Sequence, residues 1–60
     1  MPTIRSVDID YLRDCIGGDT TRAEAVAFRT LAIDRGYGDT AISEIDEAAW
    51  GELVLESMAT

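Results

Sequence analysis

The sequence predicts a mainly α fold: a compact three-helix domain with glycine turns and room for short strands at the termini. Three observations predict it. Two polar glycine turns, GGDT at 17–20 and GYGDT at 36–40, divide the chain into three pieces. Each piece carries apolar residues at helical spacing. The middle piece opens on a capping box, Thr21-Arg22-Ala23-Glu24. Sixty residues without internal repeats or low-complexity stretches make one small acidic domain, 1–60.

The first piece is SVDIDYLRDCIGG. Ser6 or Asp8 suits the start of a helix, and Asp8 and Asp10 favour its positive end. Ile9, Leu12 and Ile16 form its apolar stripe, with Tyr11 and Cys15 one step aside. Cys15, on an apolar helix face, reads as a small core residue. Gly17 is expected to supply a left-handed stop. The preceding TIRSV alternates enough to read, with less weight, as a short strand.

The second helix runs through AEAVAFRTLAIDR and ends at Gly36. Val26, Ala27, Phe28, Leu31 and Ile33 cover more than half its circumference, which predicts a central helix packed on both sides. The third helix is expected to begin at Asp39 or Thr40, with Ile42, Ile45, Ala49 and Leu53 on one stripe and Trp50 at its edge. Glu56 falls on that stripe, which predicts a kink or stop near Gly51. ELVLES then reads as a short strand, able to pair with TIRSV, or as a last helical turn.

Charge carries the functional signal. Twelve acids face five bases, all arginine, for a net charge of −7 and a pI near 4.1. The lack of lysine suits a GC-rich bacterial or phage gene. Residues 1–38 hold six acids and all five arginines; residues 39–60 hold six acids and no base. Such a balance repels nucleic acid and anionic membrane and favours basic protein surfaces. No histidine or lysine is available for acid–base or Schiff-base chemistry, and no phosphate-binding glycine loop is present, so a non-enzyme is expected. A single cysteine cannot form an internal disulfide. The N-terminus lacks an apolar run after its basic residue, and no segment has the length of a membrane span, so a cytoplasmic protein is expected. An apolar fraction of 47% is generous for so short a chain and favours a protein partner or an antiparallel homodimer.

Two resemblances follow from these residues. AFRTLAIDRGYGDTAISEIDEAAW resembles an EF-hand: an incoming helix with Phe28 and Leu31, a loop opening at Asp34, a hydrophobic Ile42, and an outgoing helix with Ile45 and Trp50. Such a loop needs side-chain oxygens at its third and fifth positions and glycine at its sixth. Here those places hold Gly36, Gly38 and Asp39, and Ile42 stands one place late. The expectation is therefore a helix–turn–helix joint with neither metal nor cofactor, and a calcium or structural module is the alternative. Small size, acidity and the lack of catalytic residues are similar to those of phage-encoded anti-CRISPR inhibitors. That resemblance implies an inhibitor in a bacterial or phage-infected cell that blocks the nucleic-acid-binding surface of a CRISPR surveillance complex as a DNA mimic. The partner-binding residues expected on this reading are Asp39, Glu44, Asp46, Glu47, Glu52 and Glu56. Tyr37, expected to be exposed between two glycines, joins them as an anchor. An antitoxin-like partner that buries an apolar face in a cognate protein is a further alternative.

Overall fold

Asp8 starts the first helix. Its Oδ1 accepts a hydrogen bond from the Tyr11 N–H at 2.8 Å, and α1 runs over Ile9–Ile16. Ser6 is occupied elsewhere, in a tight turn where its N–H donates to the Thr3 carbonyl and its hydroxyl to the same oxygen. α2 spans Arg22–Asp34, a short 3-10 turn spans Ile42–Glu44, and α3 spans Glu47–Met58. This structure, a computed structural model, describes residues 1–59; Thr60 lies outside them.

The central position of α2 is as its apolar coverage predicts: it packs against both α1 and α3. Its capping box is complete. The Glu24 N–H donates to Thr21 Oγ1 at 3.1 Å, and the Thr21 N–H donates to Glu24 Oε1 at 3.0 Å. The Thr21 N–H foremost, and the Thr21 hydroxyl second, hold the Glu24 carboxyl below its ordinary pKa. A lowered pKa gives stability that is present above the range where an unfolded glutamate titrates, about 4.3, and lost as pH falls through the folded value. Thr21→Ala is expected to cost about 1 kcal/mol at neutral pH. Glu24→Gln, which keeps an acceptor and removes the titrating group, should flatten the loss of stability below that range, as read by thermal melts at successive pH values.

The far end of α2 closes in a Schellman motif. The Tyr37 N–H donates to the Ala32 carbonyl at 2.9 Å and the Gly36 N–H to the Ile33 carbonyl at 3.1 Å. Gly36 takes φ +90°, which only glycine adopts without strain. Gly17, by contrast, is not left-handed. Its φ of 163° and ψ of 151° are extended backbone, and the α1–α2 turn is held by the Thr20 N–H on the Gly17 carbonyl. The Thr20 carbonyl in turn accepts from Arg13 Nε at 3.0 Å.

The expected strand TIRSV is a turn with a single antiparallel bridge, Thr3 to Ala41. Around it, the Ile42 N–H donates to the Pro2 carbonyl and the Arg5 N–H to the Gly38 carbonyl. Residues 2–5 therefore strap the 38–42 loop, and the strap drives Ile4 fully into the core. Gly38 sits where the two segments meet. A Cβ there would stand 2.9 Å from Arg5 Nη2, the movable end of an exposed side chain, and 3.1 Å from Ile33 Cγ1, so a larger residue would have to push both aside.

The strap also changes the third helix. Asp39 and Thr40 do not cap it. The chain makes the 3-10 turn first, and α3 begins after Asp46. It then continues through Gly51 without interruption, so the expected stop there and the strand reading of ELVLES are both corrected. Leu53 is buried, and Trp50 lies at the core edge with its ring centroid 4.7 Å from that of Phe28, tilted at 53°. Ile4, Leu12, Phe28, Ala32 and Leu53 form the core, with Val7, Ile16, Leu31, Ile33, Ile42, Ile45 and Val54 packed around it. Val26 stays 46% exposed, so the apolar band of α2 is wider than the part that is covered. Cys15 is exposed rather than a core residue. Partial burial first, and the neighbouring Asp14 second, push its thiol pKa up, which lowers its thiolate fraction.

Candidate partner-binding surface

The acids of the C-terminal third reach the surface by three routes. Asp39 leaves the strapped loop, Glu44 leaves the 3-10 turn, and Asp46, Glu47, Glu52 and Glu56 cap or ride on α3. All six are exposed. Glu44 and Glu47 therefore do not share one helix, whereas Glu52 and Glu56 stand one helical turn apart on α3.

Arginines from residues 1–38 pair with two of the six. Arg5 Nε lies 3.2 Å from Asp39 Oδ1. Arg35 grips Glu56 with both nitrogens, Nη1 at 2.8 Å from Oε2 and Nη2 at 3.1 Å from Oε1. This fork-to-fork geometry is the strong form of the pair, although both side chains are close to half exposed and water weakens it. Hydrogen bonding to Glu56 and its charge are the main causes that hold the Arg35 pKa above its ordinary value, with smaller help from Asp34 and Glu52. Glu56 lies near the negative end of α3, where a carboxylate is unfavourable; Arg35 offsets that.

Glu44, Asp46 and Glu47 make no ion pair among the described residues, and Glu52 feels Arg35 without pairing to it. The other arginines are turned away from them. Arg13 and Arg22 share Asp10, at 3.5 and 3.8 Å, and Arg29 Nη2 donates to the Arg5 carbonyl. The uncompensated charge thus gathers where the 3-10 turn meets the start of α3. Part of it has a local structural use, since Asp46 and Glu47 lie at the positive end of that helix.

Tyr37 is half-buried rather than exposed. As the residue after Gly36 in the Schellman motif, it folds back onto the core. With Arg35, Ala49, Glu52, Leu53 and Glu56 it lines a small cleft between the end of α2 and the flank of α3. Among the described residues, no group of three or more histidine, cysteine, aspartate or glutamate side chains is placed to hold a metal ion. Nor is any helix there long and apolar enough to cross a membrane.

The outward face of α3 holds residues that the strand-like reading of ELVLES hides. Leu55 is 70% exposed and Met58 54% exposed. Ala48 and Gly51 precede them on the same stripe, at helical spacings of three, four and three. Continuing the helical period past Gly51 is the signal that finds them.

No family model matches this chain, no curated protein matches it in sequence, and no solved structure matches it in fold.

Proposed function

We propose that this chain is a non-catalytic interaction module that sets an acidic surface against a basic, nucleic-acid-binding surface of another protein and so keeps nucleic acid away from it. The supporting observation is the concentration of unpaired, exposed carboxylates at Glu44, Asp46 and Glu47, with Glu52 beyond them. Asp39 and Glu56 contribute less, because each already has an arginine. Such a surface attracts a basic partner over roughly 10 Å at 0.1 M salt and speeds its approach. In its most specific form the proposal is an anti-CRISPR-type inhibitor in the cytoplasm of a bacterial or phage-infected cell, with a CRISPR surveillance complex as the partner.

The test is capture of partners by the immobilised protein from a bacterial lysate containing CRISPR effectors, with elution in a salt gradient. A nucleic-acid-binding complex that leaves at moderate salt is expected. Glu44→Lys with Glu47→Lys should lower its affinity by about tenfold or more. Losing the Glu47 carboxylate from the first turn of α3 and placing a lysine there each cost about 0.3–1 kcal/mol, so a thermal melt should still show a folded variant at a lower temperature. Unchanged affinity in that folded variant would sink the role of these acids. A second reading, an antitoxin-like partner that buries an apolar face, is favoured by the exposure of Val26, Leu55 and Met58. Its complex would resist high salt.

A further inference from the structure

We infer that the outward face of α3 is a docking seat for one amphipathic helix of a partner protein, with an apolar stripe and arginine or lysine on its shoulders. This rests on the acidic-surface reading above and adds the mode of contact. The seat is built from Ala48, Gly51, Leu55 and Met58. Leu55 and Met58 are among the large apolar side chains the fold leaves in water. Glycine inside a helix destabilises it relative to alanine. Nothing lies within 4 Å of where a Gly51 Cβ would stand, so packing within this chain does not require the glycine. Together with Ala48 it leaves a notch beside Leu55. Small residues of this kind let a second helix backbone come close, and the longer side chains beyond the notch serve as its anchors.

Charge selects the occupant. Among the described residues Glu47 and Glu52 flank the stripe without an ion pair, while Glu56 beyond Glu52 is held by Arg35. A second copy stacked α3 against α3 would bring Glu47 and Glu52 against acids of the same kind, and Arg35, the arginine beside α3, is already taken by Glu56. An anionic lipid surface is repelled for the same reason. A helix with basic shoulders meets both the apolar stripe and its acidic rim.

A display library of short helical peptides, randomised along one face and both shoulders, tests this against the full chain. Enriched peptides should carry an apolar stripe flanked by arginine or lysine. Leu55→Asp should weaken them by about tenfold or more while lowering the melting temperature by only a few degrees, the cost of one more carboxylate near the negative end of α3. Gly51→Ala should raise the melting temperature by a few degrees and yet weaken the same peptides. Three results would overturn the inference: no enrichment, enriched peptides with neutral or acidic shoulders, or equal binding to Leu55→Asp. So would a dimer in sedimentation equilibrium that Leu55→Asp dissociates, since the occupant would then be a second copy. Salt-sensitive capture that survives Leu55→Asp removes the helix seat and keeps the acidic-surface reading. Capture indifferent to charge reversal at Glu44 and Glu47 removes both.

Discussion

Phe28→Ala is expected to leave the protein largely unfolded at 25 °C. Phe28 is the largest of the fully buried side chains and packs its ring against Trp50. Truncating such a residue costs about 3–5 kcal/mol, the lost transfer energy plus the cavity. A domain below about 70–80 residues seldom has more than about 3–5 kcal/mol to lose. No disulfide is present to limit the damage, because Cys15 is the single cysteine. Far-UV circular dichroism should report loss of helix, and Trp50 fluorescence should shift to the red as its cover is removed. Phe28→Leu, which keeps most of the volume, should retain a cooperative melt at a lower temperature. A Phe28→Ala chain that melts like the parent would show that the α2–α3 contact does not carry the fold.

The second large effect belongs to Ile4→Ala, at about 2–5 kcal/mol. Ile4 lies outside every helix and is nevertheless fully buried. The bridge from Thr3 to Ala41 and the bond from the Arg5 N–H to the Gly38 carbonyl fix it there. A urea titration followed by circular dichroism should show the midpoint falling steeply. Ile4→Val should lie much closer to the parent. If Ile4→Ala costs less than about 1 kcal/mol, well short of a buried truncation, the strap is an outer flap and the core closes without it.

Much of the fold is legible in local sequence because much of it is locally determined. The capping box at Thr21, the Asp8 cap, the Gly36 closure and the central place of α2 depend on residues a few positions apart. The failures share a physical cause. The start of α3 moves from Asp39 to Glu47 because Pro2, Thr3 and Arg5 occupy the intervening loop, and no local pattern announces so distant a partner. Glu56 looked like a break in the helical phase. It is instead met by Arg35, 21 residues earlier. Tyr37 had the neighbours of an exposed turn residue, but the motif that ends α2 turns it inward. The acidic surface was legible as a count of carboxylates. Which of them keep an unopposed charge was not, since that depends on where Arg5 and Arg35 come to rest.

The strap has a consequence for the order in which the protein is made. Ile4 leaves the ribosome before Gly38, Ala41 and Ile42, which hold it, and before Leu53, which completes the core around it. At ordinary rates of translation the interval between Ile4 and Leu53 is roughly 2–10 s. The core around Ile4 therefore cannot close until Leu53 has emerged. Until α3 joins them, α1 and α2 have an apolar side open to chaperones and proteases, and the arrival of α3 decides whether they escape.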